Sequence, residues 1–223
     1  IIFYMTIHLI TAGKYQNQED WPETWLQCFK SLSKVKEDIC FWNDEGIEKL
    51  LKEDDNEFYE NYLLNLNPIY KWDYVRYIIL NKYGGAYMDM DIELVIDFFP
   101  LLNSNSVYLA EGTSGTYVEN SIMICPKNFD ITYDPPSIFF ERVKDFCKDK
   151  IMLNYNKCLE DKRRVLYTTG GRALSEFVIT QKHFFNELNI NRLAYEHFGS
   201  INNTLSFTRH HQTSTWMEKI NNK

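Results

Sequence analysis

The 223-residue sequence predicts an α/β fold with parallel strands on one domain. Three observations predict it. Short runs rich in Ile, Val and aromatic residues alternate with stretches of helical spacing, the pattern of strand–helix–strand units. Proline and glycine punctuate the joints, with Pro22 and Pro68 at helix starts and Gly84-Gly85 at a helix end. Two aspartates, Asp89 and Asp91, then close the hydrophobic run that follows that Gly-Gly turn. This places acids at the carboxyl end of a strand, where open α/β sheets bind ligands.

In chain order, residues 1–10 read as a first buried strand bounded by Ala12-Gly13. Trp21-Pro22-Glu23 starts a helix with Trp25, Cys28, Phe29 and Leu32 at helical spacing. Residues 38–42 form a second strand, and Asn43-Asp44 caps a helix carrying Ile47, Leu50 and Leu51. Residues 54–67 are acidic and aromatic, hence helical and partly exposed. Pro68 opens a strong helix over 69–82, with Trp72, Val75, Ile78 and Ile79 as its apolar stripe. A strand over 86–91 follows. Two more strands are expected at 107–110 and 121–125, an amphipathic helix at 137–147, a strand at 165–169 and a helix at 172–180. From residue 186 the chain is polar and reads as irregular. Neither an internal repeat nor a low-complexity linker is present, so one domain over 1–223 is expected.

Composition narrows the function. A formal charge of −7 argues against general nucleic-acid binding, which needs a basic surface. No apolar run reaches the ~20 residues that span a bilayer. The apolar start is strand-length, broken by Thr6 and His8, and lacks the basic start and cleavage site of a signal peptide. It begins with Ile rather than Met, so the sequence leaves open a trimmed leader or anchor. Five scattered cysteines include no CxxC pair, which argues against a zinc knuckle; the odd count tilts toward free thiols and a reducing, cytoplasmic setting.

On a strand, Asp89 and Asp91 would project to one side with Met90 opposite. Two such carboxylates repel unless a cation lies between them. A hard divalent cation with room for phosphate oxygens is the simplest occupant, set against a merely charged strand end. Asp73 and Arg76 share a helix face, and by spacing alone form an intrahelical ion pair at the margin of the apolar stripe. His210, His211 and Trp216 sit in what reads as a solvated tail. His8 reads as a satisfied core histidine, Asn120 as a turn residue or a sugar-binding amide, and Thr168-Thr169-Gly170-Gly171 as a plain turn or a phosphate-facing loop.

Together these pieces resemble a known family. Asp73-Tyr74-Val75-Arg76-Tyr77, then Leu80 to Glu93 with its Tyr-Gly-Gly-Ala-Tyr-Met-Asp-Met-Asp core, is similar to the block that marks the DXD-containing glycosyltransferases of family thirty-two. Large clostridial glucosylating toxins share that core block. Weaker matches continue through Ile7-His8-Leu9-Ile10, Trp42-Asn43-Asp44, Asn120-Ser121-Ile122-Met123, Thr169-Gly170-Gly171 and His210-His211 with Ser214 and Trp216.

The resemblance implies a GT-A (Rossmann-like) fold with a mixed, mostly parallel central sheet flanked by helices. It implies a retaining hexosyltransferase using a nucleoside-diphosphate sugar, UDP- or GDP-hexose, with Mn2+ or Mg2+ and a glycan or other hydroxyl acceptor. Carried over by position, Asp91 ligates the metal, Asp89 reaches the ribose and the metal's water shell, and Asp73 and Arg76 hold the sugar. His211 or Ser214 completes the metal site, and Trp216 closes over the diphosphate, as part of a C-terminal segment from residue 186 that covers the donor. His8, Thr11 and Asn120 fall beside the donor. Two departures stand out: Thr11 replaces the aromatic that follows the first strand, and Gly171 replaces a proline. Relatives work in the Golgi lumen, bacterial cytoplasm or host cytosol, so the compartment stays open. A strand-end Asp-x-Asp also occurs in aspartate-based phosphatases, but these need a small hydroxyl residue where Glu93 stands. The non-enzymatic alternative is an inactive sugar-nucleotide or glycan-binding module of the same fold.

Overall fold

A computed structural model describes residues 5–103, 106–126, 135–181, 188–199 and 206–212. Strand β1, Thr6–Ile10, is buried and pairs in parallel with β2, Asp38–Trp42. Between them runs α1, Glu23–Ser31, with Pro22 at its start and Trp25 and Cys28 turned inward. Helix α2, Asp44–Asn61, is capped by the Asn43 side chain, which accepts from the Gly46 amide. It breaks at Asp55, whose carboxylate re-caps the remainder at the Phe58 amide, 2.9 Å away.

Helix α3, Pro68–Tyr83, is central. Asn67 caps it and Pro68 supplies the first turn. The expected apolar stripe understates its burial: Asp73, Tyr74, Val75, Arg76, Tyr77 and Ile78 are consecutive and all buried. Asp73 and Arg76 therefore lie inside the molecule, not at a solvent margin, because α2 and the later helix Pro135–Glu160 pack on α3, as do strands of the sheet. Gly84 and Gly85 reverse the chain with φ of +64° and +86°. A Cβ on Gly85 would stand 2.3 Å from the Thr6 carbonyl oxygen, so only glycine lets β1 run this close.

Strand β3 spans Gly85–Met88, followed by a turn at residues 89–91 and β4, Ile92–Leu94. Strands β5, Ser106–Glu111, and β6, Val118–Cys125, form an antiparallel pair. Helix α4, Pro135–Glu160, is longer than expected and deviates at Asn154. Residues 165–169 were expected as a strand on their β-branched content, but Val165–Thr168 is a short helix, α5. There the Thr168 hydroxyl bonds back to the Arg164 carbonyl at 2.9 Å, a local pairing that only the helical turn allows. Helix α6 is Gly171–Gln181.

In the polar stretch after residue 186, an irregular chain was expected. Asn189–Leu193 instead forms strand β7, parallel to β5 at the sheet edge. Tyr195–Phe198 is a short helix, α7, and Thr208–His210 is strand β8, antiparallel to β4.

The main sheet has the order β2-β1-β3-β6-β5-β7, with β6 alone running against the others. The sheet is thus mixed and mostly parallel. One face carries a core built from α2, α3, α4 and α6, and the other a second core around Trp21, Trp25, Met88, Ile92 and Phe98. All five cysteines are free thiols, four of them buried. Among the described residues no helix is long and apolar enough to cross a membrane.

Candidate active site

The candidate site lies at the carboxyl end of β3, where α3, β6 and β8 converge. The two aspartates do not alternate along a strand as expected. β3 ends at Met88, and Asp89, Met90 and Asp91 make a tight turn in which the Ile92 amide bonds the Asp89 carbonyl at 3.1 Å. The Asp89 amide is pinned to the Ser121 carbonyl of β6 at 2.9 Å. Both carboxylates face inward through this turn.

The partner that joins them is His210. Its Nε2 is 3.3 Å from Asp91 Oδ1, and ligand atoms of Asp89, Asp91 and His210 all lie within 4.8 Å of one another. The expected third residue was His211 or Ser214, and Ser214 lies outside the described residues. The structure turns the His211 ring away to Glu93, at 3.1 Å, and Glu93 also holds Arg209 at 3.6 Å. The β4–β8 pairing explains the choice: Ile92 faces His210 and Glu93 faces Arg209, so β8 carries His210 to the turn while its neighbours bolt onto Glu93.

Behind the turn stands Arg76. Its Nη2 contacts Asp73 at 3.1 Å and Asp89 at 3.3 Å, and its Nη1 donates to the Asn120 carbonyl at 3.1 Å. The guanidinium also lies over the Tyr87 ring, and the Tyr87 hydroxyl donates to Asp89 at 2.7 Å. Arg76 therefore ties α3 to the turn and to β6. Burial pushes the Asp73 carboxyl up to about 6; Arg76 opposes the shift and Asp89 adds to it. Asp89 is raised too, by burial first, with Arg76 opposing and Asp91 adding.

A fourth acid joins the site, one that the sequence did not single out. Glu119 of β6 lies 3.8 Å from His210 Nδ1, is held by the Tyr117 hydroxyl at 3.2 Å and faces Ser121. Its only signal in the sequence was its place beside Asn120. His210 is thus flanked by carboxylates on both ring nitrogens. Burial works against its charge, yet Asp91, Asp89 and Glu119 together raise its pKa.

Gly170 and Gly171 wall the far side. A Cβ on Gly170 would come 3.1 Å from Asp73 Oδ2, and one on Gly171 3.1 Å from the Val118 carbonyl. These glycines let the start of α6 lie close to Asp73 and β6.

His8 is buried with both nitrogens occupied: Nε2 bonds the Gly84 carbonyl at 3.0 Å and Nδ1 accepts from Trp42 Nε1 at 3.2 Å. Burial lowers its pKa to about 4. It joins β1 to the end of α3 as a neutral ring. Thr11 is buried just past β1, its amide bonded to the Trp42 carbonyl at 2.9 Å. Asn120 flanks Arg76 and Asp73. Ser214 and Trp216 lie outside the described residues.

The mixed sheet and its flanking helices have the GT-A architecture. Residues 22–108 match the family described as the glycosyltransferase sugar-binding region containing DXD motif, and they hold Asp73, Arg76, Asp89 and Asp91. Inositol phosphoceramide mannosyltransferase 3 of Schizosaccharomyces pombe is 32% identical over 107 residues, covering 46% of this chain and 29% of that protein. Mannosyl phosphorylinositol ceramide synthase CSH1 of Saccharomyces cerevisiae is 30% identical over 106 residues, 47% of this chain and 28% of that protein. The match spans less than a third of the length of these relatives. Among solved structures, the PaToxG glycosyltransferase superposes with a TM-score of 0.57 at 18% identity, over 80% of this chain and 70% of that one, and so shares the fold.

Proposed function

We propose that this chain is a metal-dependent, retaining hexosyltransferase that moves a hexose from a nucleoside-diphosphate sugar to a hydroxyl acceptor. The observation that carries this is the convergence of Asp89, Asp91 and His210 within 4.8 Å at the end of β3. Two carboxylates and an imidazole form a donor set that suits Mn2+, and less closely Mg2+, which prefers oxygen alone. When bound, such a cation neutralises the charge that builds on the departing diphosphate.

The chain's own residues do the rest. Asp91 and His210 would hold the cation, with Asp89 beside them on the same turn. Arg76 is spent on Asp73 and Asp89, so its task is to orient those carboxylates. Asp73, buried and beside Asn120, presents an acceptor for a sugar hydroxyl at a place walled by Gly170. For retention, the acceptor oxygen attacks the anomeric carbon on the face that the diphosphate leaves. The carbon–phosphate oxygen bond breaks as the new bond forms, and the departing phosphate oxygen takes the acceptor's proton.

The names of the two yeast relatives support mannose as the first hexose to test and a hydroxyl of a phosphoinositol headgroup as the first acceptor. An inactive sugar-nucleotide module is the alternative; the unbroken contact from Asp73 through Arg76 and Asp89 to Asp91 and His210 speaks against decay. The test is donor hydrolysis without acceptor. UDP- and GDP-hexoses are incubated with Mn2+, and release of the nucleoside diphosphate is followed. One donor should turn over slowly and only with metal. Binding with no turnover for any donor under any divalent metal would favour the inactive module.

A further inference from the structure

We propose that the surface built from the end of α4, the turn Lys162–Arg164 and α5 docks onto an anionic phospholipid bilayer. Eleven large hydrophobic side chains are exposed among the described residues, and five of them fall between residues 152 and 167: Met152, Leu153, Leu159, Leu166 and Tyr167. Leu153 is 83% exposed and Tyr167 57%. Scattered exposed leucines need no explanation, but such a concentration does. The elements that carry them pack against one another.

The charge there runs against that of the molecule. The whole chain carries −7, whereas residues 157–167 hold Lys157, Lys162, Arg163 and Arg164 against Glu160 and Asp161. Arg163 pairs with Asp161 through Nε at 3.0 Å and Nη2 at 3.2 Å, yet its side chain is 71% exposed, which leaves the guanidinium at the surface. Basic heads interleaved with Leu and Tyr are what an interfacial membrane contact uses: apolar side chains enter the headgroup boundary while Lys and Arg meet lipid phosphates.

The position gives the contact a use. Tyr167 is three residues before Gly170, and Gly170 lies against Asp73. A bilayer touching α5 would therefore lie near the sugar-holding wall of the site. The docking itself does not depend on the proposed reaction.

The test is co-sedimentation of the purified chain, in EDTA and without donor, with vesicles of phosphatidylcholine alone or mixed with phosphatidylserine. Leu166→Ser/Tyr167→Ser and Arg163→Gln/Arg164→Gln are compared with the unmodified chain; all four side chains are exposed, and unchanged circular dichroism confirms folding. Binding is expected to the serine-containing vesicles, to weaken with salt, and to fall at least about tenfold in the double arginine variant. The Leu/Tyr variant should bind as weakly. Equal binding to both vesicle types, or variants that bind like the unmodified chain, would overturn the proposal. So would a concentration-dependent dimer that the same substitutions abolish, since the surface would then be an interface between copies. Metal-dependent donor hydrolysis in the absence of vesicles should be the same in all three proteins, which separates this result from the fate of the proposed reaction.

Discussion

A single nitrogen of Arg76 lies 3.3 Å from the Asp89 carboxylate and 3.1 Å from that of Asp73. One buried cation thus holds two acids, a buried one on α3 and a half-buried one on the turn after β3. Removing it strands both. Arg76→Ala should cost about 3–5 kcal/mol of stability, the usual size of a broken buried ion pair. Arg76→Lys should lose less, because it keeps the charge, but it cannot span both carboxylates with a planar fork. Denaturant titration of the three proteins measures this; equal midpoints would place Arg76 outside the framework.

Asp73 gives a pH signature. Its folded pKa of about 6 lies above its ordinary 3.8, so the folded state holds a proton that the unfolded chain releases. The stability this contributes is complete below pH 4 and is lost as pH rises toward 6. Asp73→Asn cannot titrate. The stability of the unmodified chain, measured against that variant without metal, should therefore decline between pH 4 and 6.

His8 gives the opposite sign. Its pKa falls from 6.5 to about 4 on folding, so its contribution is present above pH 6.5 and lost as pH drops toward 4. Against His8→Gln, which keeps a donor and an acceptor, the unmodified chain should weaken on acidification. A flat difference across that range would mean that the ring is not neutral in its Gly84–Trp42 clamp.

Gly85→Ala should destabilise the chain by at least about 3 kcal/mol, since it adds a Cβ to a left-handed residue and drives it into the Thr6 carbonyl. Thermal unfolding reports it. A loss well under 1 kcal/mol would mean that β1 can move away.

The Tyr83–Asp91 block was legible because its glycines, hydrophobic run and paired acids are local features, and local chemistry marks them. The β2 limits, the Asn43 cap and the opening of α3 at Pro68 were legible for the same reason. Other features depend on what packs where. Met88 and Met90 alternate with Asp89 and Asp91 whether the chain extends or turns, so the pattern could not reveal the turn. The apolar stripe of α3 gave no sign that Asp73 and Arg76 would also be covered, since Arg76 makes burial tolerable only through partners on β3 and β6. β7 is short, polar and held from one side, so Asn-Ile-Asn-Arg-Leu lacks a strand's usual signal. The choice of His210 over His211 follows from the β4–β8 register, which joins residues far apart in the sequence.

That choice separates two variants. His210→Ala should weaken Mn2+ binding at least about tenfold, and His211→Ala should weaken it less, since His211 rests on Glu93. Glu119→Gln should also weaken binding, by about tenfold, through loss of the carboxylate facing Nδ1. Calorimetric titration ranks the three; a larger loss in His211→Ala would reverse the assignment.

The most direct measurement is electron paramagnetic resonance of Mn2+ titrated into the unmodified chain and into Asp91→Asn, which removes one charge at nearly constant volume. One bound Mn2+ per chain is expected in the first, sharpened by a nucleoside diphosphate, with binding lost and the fold retained in the second. Equal Mn2+ binding by the two proteins would contradict a cation held by Asp91 with Asp89 and His210.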